Sequence, residues 1–194
     1  MTGAGEGGII DAMAKDSVVV FGSSQARRDS PHFGLASELG AAIARRGADV
    51  RCGGYGGVME AVASGAKSAG GRVIGCTLKW FAESRVSNSH LDEVHEAASL
   101  HARIECLLRG ARGAVVLPGG VGTLNELFWV WTLLLFDRDE GPQSIVLLGE
   151  PWEELMAVLE RRFEFPQPIR ALVGHARTAD EAAAMAIGAP GGAR

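Results

Sequence analysis

Apolar runs of about five residues, several closed by glycine and followed by a helical repeat, recur along this chain and leave it few folds to choose from. The first is Ser17-Val18-Val19-Val20-Phe21, closed by Gly22-Ser23-Ser24. Its unbroken β-branched character suits a strand covered on both faces rather than one with a wet side. Behind Ser30-Pro31, Leu35, Leu39 and Ile43 repeat at helical spacing until Gly47 ends the pattern. Ala48-Asp49-Val50-Arg51-Cys52 reads as a second strand and runs into Gly53-Gly54-Tyr55-Gly56-Gly57. A helix with Val58, Val62 and Ala66 on one face follows and stops at Gly70-Gly71, ahead of a third strand over 72–76.

Further along, strands are expected over 114–117 and 144–148. Helices are expected around Leu100, Ile104, Leu107 and Leu108, then over 123–136, 152–162 and 179–186. The stretch from Thr77 to Ala98 carries Trp80-Phe81 and reads as a long loop containing a short strand. Strands alternating with helices predict an α/β fold: a Rossmann-like, doubly wound, mostly parallel sheet with helices on both faces. Residues 1–16 read as a flexible, Gly-rich leader without the order of a signal peptide, and residues 17–194 as a single nucleotide-binding α/β domain. No internal repeat or linker divides the chain.

Composition narrows the function classes. The 194 residues carry a formal net charge of −4, and the arginine pairs 27–28, 45–46 and 161–162 are isolated, so no basic stripe offers itself to nucleic acid. No apolar run reaches the roughly 18 residues of a membrane span. The three cysteines, Cys52, Cys76 and Cys106, show no CxxC or Cys/His ligand spacing. They read as small buried hydrophobes in a reduced, cytoplasmic setting. His32, His90, His95 and His175 show no metal spacing either, so neither metal nor cofactor is expected.

In an open parallel sheet, ligands bind beyond the carboxyl ends of the strands. Three such ends carry small-residue loops here: Gly22-Ser23-Ser24, Gly53 to Gly57, and Pro118-Gly119-Gly120-Val121-Gly122-Thr123. Glycine admits sharp turns and close approach of a ligand, and loop amides with a following helix N-terminus offer donors to an anion. Gly22, Ser23, Gly54, Gly57, Gly119, Gly120, Gly122 and Thr123 are therefore the candidate phosphate or nucleotide contacts. Neither the P-loop nor the dinucleotide fingerprint occurs.

Two charged residues near the third loop each admit two accounts. Glu126 either closes a capping box with Thr123 or presents its carboxylate to the ligand that the loop holds. Arg103 is either a surface arginine whose stem covers apolar residues or a guanidinium at the site edge, binding phosphate or pairing with Glu126. His101 and Glu105 flank it as less specific candidates.

With these residues in view, the chain resembles the LOG (Lonely Guy) family, long labelled "possible lysine decarboxylase". The hallmark is Pro-Gly-Gly-x-Gly-Thr-x-x-Glu, matched by Pro118-Gly119-Gly120-Val121-Gly122-Thr123-Leu124-Asn125-Glu126. Gly22-Ser23-Ser24 and Gly53 to Met59 also fit, and the likeness runs from about Val18 to Leu159. The resemblance implies a homodimeric phosphoribohydrolase that cleaves the N-glycosidic bond of cytokinin riboside 5′-monophosphates, and often AMP, to free base and ribose 5-phosphate. It also implies that Arg103, in His101-Ala102-Arg103, and Glu126 are the catalytic pair. Ile104 replaces the lysine usual after the arginine, Asn125 the first of two glutamates, and Val121 a hydroxylated or aromatic residue, which marks a divergent branch. The decarboxylase label has no counterpart, because none of Lys15, Lys67 and Lys79 lies in a pyridoxal phosphate motif. A non-enzymatic carrier of a nucleotide or phosphorylated cofactor on the same fold is the alternative. The helix over 123–136, apolar nearly all round, is either wholly buried or meets another subunit.

Overall fold

The computed structural model describes residues 17–81, 86–136, 141–164 and 171–188. The leader over 1–16 and Lys15 lie outside the described residues. The strands are β1 (Ser17–Phe21), β2 (Asp49–Cys52), β3 (Val73–Leu78), β4 (Glu93–Ala97), β5 (Ala111–Val116), β6 (Ile145–Leu148) and β7 (Val173–Ala176). The helices are α1 (Pro31–Arg45), α2 (Val58–Ser68), α3 (Leu100–Leu108), α4 (Val121–Phe136), α5 (Pro151–Arg162) and α6 (Ala179–Gly188), with a 3₁₀ turn at Lys79–Phe81. One seven-stranded sheet runs in the order β4-β3-β2-β1-β5-β6-β7. Every pairing in it is parallel.

Alternate residues of each strand face opposite layers, which splits the core in two. Val18 and Val20 join Val50, Cys52, Val115 and Leu148 beneath α1, α2 and α6. Val19 and Phe21 join Cys76, Val116, Ile145 and Leu147 beneath α3, α4 and α5. With both faces covered, β1, β3 and β6 are buried along their whole lengths, as their unbroken apolar sequences require.

Local signals account for several boundaries. Ser30 caps α1, its hydroxyl accepting from the Phe33 amide at 3.3 Å, and Pro31 occupies the first helical position. Gly47 takes a φ of 78° just past the helix, where a side chain would be strained. β4 is the short strand expected within the stretch from Thr77 to Ala98, whereas β7 had no counterpart in the sequence reading. Both are sheet edges, and β4 (Glu-Val-His-Glu-Ala) wears the charged side chains by which edges avoid stray pairing. Asp92 anchors β4, its amide donating to the Val73 carbonyl and its carboxylate accepting from the Val73 amide at 2.8 Å.

The helices α1 and α2 cross at glycines. A Cβ on Gly40 would overlap the Val62 carbonyl, and one on Gly65 would overlap the Ser37 carbonyl. Both obstacles are backbone and cannot swing aside. Gly65→Ala is expected to destabilise the fold by about 2 kcal/mol or more, lowering the urea midpoint at unchanged slope; an unchanged midpoint would contradict this packing.

Candidate functional site

The sheet order reverses between β1 and β5, and in doubly wound sheets the crevice at that switch point is where ligands bind. The loops that leave β1, β2 and β5 meet there. The Ser23 amide donates to the Pro118 carbonyl at 3.3 Å, and the Val58 amide to the Ser23 carbonyl at 2.9 Å. Glycine makes the junction possible. Gly57 has a φ of 70°, and a Cβ on it would strike the Ser23 carbonyl oxygen; one on Gly119 would strike the Thr123 hydroxyl. Gly22 lies against Val58. Gly54 is placed differently: it is buried, with a φ of 79°, against Thr77 on the β3 side.

Gly120 and Gly122 need no such freedom on the protein's account, since an added Cβ on either would meet nothing. Both are exposed at the start of α4, which begins at Val121 rather than at the expected Thr123. The reason is local: the Gly120 carbonyl already accepts the Leu124 amide at 3.1 Å, so half of the glycine motif is the first helical turn. A helix N-terminus with bare backbone opens on the crevice, an arrangement suited to a phosphate.

This earlier start also disposes of the capping box. Thr123 is the third residue of the helix and buried, so it does not cap it. Glu126 lies in the second turn and faces Arg103, Oε1 to Nη1 at 3.8 Å, with side chains 15% and 12% exposed respectively. Burial lifts the Glu126 carboxyl to about 7, against the opposing pull of the Arg103 guanidinium.

Arg103 is not the surface arginine of the plainer account. Ser99 caps α3, accepting from the Ala102 amide at 3.1 Å, and Arg103 points inward from its first turn. Its Nε donates to the Cys76 carbonyl at 2.8 Å and its Nη2 to the Gly53 carbonyl at 3.4 Å. A Cβ on Gly53 would collide with that Nη2. The guanidinium lies 5.8 Å from the centroid of the Tyr55 ring, in cation–π range. Tyr55 escaped the sequence reading, although a lone tyrosine within a glycine loop was a signal. It is buried, and its hydroxyl accepts the Leu78 amide at 2.8 Å. His101 and Glu105, by contrast, are exposed and pair with each other at 3.0 Å on the outer side of α3.

The cysteine expectation needs correcting. Cys76 on β3 and Cys106 on α3 form a disulfide, with Cα atoms 6.3 Å apart, within the usual span. They are 30 residues apart and share no spacing motif, so only the packing of α3 on β3 brings them together. Cys52 alone is a free, buried thiol, and burial pushes it up to about 11. Of the lysines, Lys67 pairs with Asp92 at 2.6 Å and Lys79 is exposed.

The family model described as "Possible lysine decarboxylase" matches residues 59–186. The chain belongs to this family, the LOG family. Among its relatives is the cytokinin riboside 5′-monophosphate phosphoribohydrolase of Mycobacterium tuberculosis, 36% identical over 119 residues, covering 61% of this chain and 62% of that protein. The enzyme of the same name from Mycobacterium marinum is 38% identical over 122 residues with the same coverage. The match thus spans less than two thirds of either relative. Among solved structures, the molybdenum cofactor carrier protein of Chlamydomonas reinhardtii superposes with a TM-score of 0.62 at 26% identity, over 88% of this chain and 95% of that one.

Glu126 carries a stability consequence with a definite sign. Its folded value of about 7 exceeds the ordinary 4.5, so the folded protein keeps a proton that the unfolded chain releases between those values. That contribution is intact below about 4.5 and is lost as pH rises through about 7, a span worth at most about 3 kcal/mol. Glu126→Gln is therefore expected to raise the urea midpoint at pH 8, with the gain shrinking towards pH 5. A gain independent of pH would contradict the buried carboxylate.

Proposed function

We propose that this LOG-family protein hydrolyses the N-glycosidic bond of a purine or cytokinin nucleoside 5′-monophosphate, releasing the free base and ribose 5-phosphate. The observation that carries the reading is a buried carboxyl titrating near neutrality, Glu126, which faces Arg103 beside an open helix N-terminus. The names of the mycobacterial relatives support the same substrate class.

In this reading the phosphate sits on the free amides at the start of α4, with Ser23 and Gly119 beside it, and anchors the ribose. Departure of the base leaves positive charge on the anomeric carbon and ring oxygen. An ionised Glu126 in a water-poor site stabilises that charge or directs a water onto the anomeric carbon. The water oxygen bonds to that carbon, the carbon–nitrogen bond breaks, and the base leaves with a proton. Arg103 orients the carboxylate and keeps part of it ionised near neutral pH.

Incubation with AMP and with isopentenyladenosine 5′-monophosphate, followed by chromatography, is expected to show free base. Glu126→Ala and Arg103→Ala should each lower kcat/KM by about 10²–10⁴-fold. Because the ionised carboxylate is the working form, kcat/KM should rise with pH and level off above about 7. No cleavage of either nucleotide would sink the proposal.

Homodimer formation belongs to the same reading. On α4, Leu127, Val130, Trp131 and Leu134 are buried, whereas Val121, Phe128, Leu135 and Phe136 face outward, Phe136 being 84% exposed. Sedimentation at micromolar concentration should give a dimer, and a monomer would remove that element. A cytoplasmic location is also part of the proposal; the free Cys52 thiol is compatible with it, and the Cys76–Cys106 disulfide speaks against a reducing setting. The second reading is a carrier, favoured by the likeness to the Chlamydomonas protein. Tight nucleotide binding without base release would select it.

A further inference from the structure

Cys76 is attached to the Arg103 segment twice. Its carbonyl accepts the Arg103 Nε at 2.8 Å, and its sulfur is bonded to Cys106, one helical turn beyond Arg103 on α3. Side-chain hydrogen bond, helix turn and disulfide thus close a small ring that includes the guanidinium. The helix has nine residues and packs on β3 and the edge strand β4, with Leu100, His101 and Glu105 in solvent. Its other attachments include Ile104, Leu107 and Leu108 in the core, Arg51, whose Nη1 donates to the Cys106 carbonyl at 2.9 Å, the Arg103 Nη2 on the Gly53 carbonyl, and the His101 ring 5.6 Å from that of Trp129.

We propose that Cys76 and Cys106 are positioning residues: their disulfide fixes Arg103 opposite Glu126, and the thiol–disulfide state of the pair sets the rate at the site. The proposal rests on the hydrolase reading for its kinetic readout but not for its geometry. Cys76 is fully buried whereas Cys106 is only partly buried, so a dithiol enters at the Cys106 sulfur. Its thiolate bonds to that sulfur and the sulfur–sulfur bond breaks. Cys76 leaves as a thiolate and takes a proton. The second thiol of the reductant then displaces Cys106, which takes the other proton, and the reductant ends as a disulfide. Two electrons and two protons have passed to the protein. The two thiols, no longer bonded, separate to van der Waals contact, and α3 with Arg103 is released from β3. Displacements of about 1 Å in such groups cost up to about 10²-fold in rate.

The experiment compares the full chain before and after treatment with dithiothreitol. Alkylation under denaturing conditions, read by mass spectrometry, should label one cysteine before reduction and three after it. Reduction should lower kcat by about tenfold or more while KM changes by less than about threefold, and reoxidation should restore it. It should also shift the ascending pH limb upward, because a loosened guanidinium no longer holds the Glu126 proton off. Cys76→Ser and Cys106→Ser should resemble the reduced protein and ignore dithiothreitol, whereas Cys52→Ser should respond like the natural chain. Should a serine variant not fold, the reduced natural protein supplies the same comparison. Carbon-13 NMR of the Glu126 carboxyl, assigned with Glu126→Gln, follows its titration without turnover. If no base is released in either state yet that titration moves on reduction, the hydrolase reading fails and the positioning role stands. Three labelled cysteines in protein oxidised with a small disulfide, or a kcat and a Glu126 titration indifferent to reduction, would overturn it.

Discussion

All seven strands point the same way, so every loop that leaves a carboxyl end emerges along one edge of the sheet. Where the winding reverses, between β1 and β5, the helices that follow these neighbouring strands depart to opposite faces and leave a crevice. The loops there approach closely enough to hydrogen-bond to each other, Ser23 to Pro118 and Val58 to Ser23. That proximity leaves no room for side chains at Gly57 and Gly119. Backbone amides are thereby brought to the crevice, and α4 adds the positive end of its dipole.

Onto this cradle the fold places two opposite charges, each with an uneasy environment. Arg103 is drawn in by the carbonyls of Cys76 and Gly53 and by the face of Tyr55, all neutral partners. Glu126 is nearly as buried and has Arg103 for company at 3.8 Å, a separation that offsets only part of its desolvation. A carboxyl held near neutrality costs the folded chain stability at higher pH. Active sites often carry such costs, since a group that is comfortable in one protonation state does little chemistry.

Particular residues show where the sequence was readable. The β-branched run at 17–21 and the Ser30-Pro31 start of α1 were legible because local chemistry decides them. The glycine motif with Glu126 and the pairing partner Arg103 were visible as well. β7 was not, and β4 was legible only as a short strand of unspecified place within 77–98, because edge strands lack two apolar faces and so lack the pattern that marks a buried strand. The start of α4 was misplaced by two residues because glycine gives no helical signal, although its amides serve well in a first turn. Tyr55 and the Cys76–Cys106 bond went unread, since each depends on a neighbour far away in the chain.

The sequence by itself determined the class of fold, the sheet edge on which a ligand would sit, and the residue types available there. Apolar periodicity and glycine placement are local properties, and they act before any tertiary contact forms. Tertiary structure alone decided that Arg103 turns inward, that Glu126 faces it rather than capping its own helix, and that a disulfide ties α3 to β3. Each of these depends on burial and on distances between segments that are remote in sequence. The loop at Pro118 to Thr123 is thus readable from its glycines, whereas its chemistry follows from what the fold packs against it.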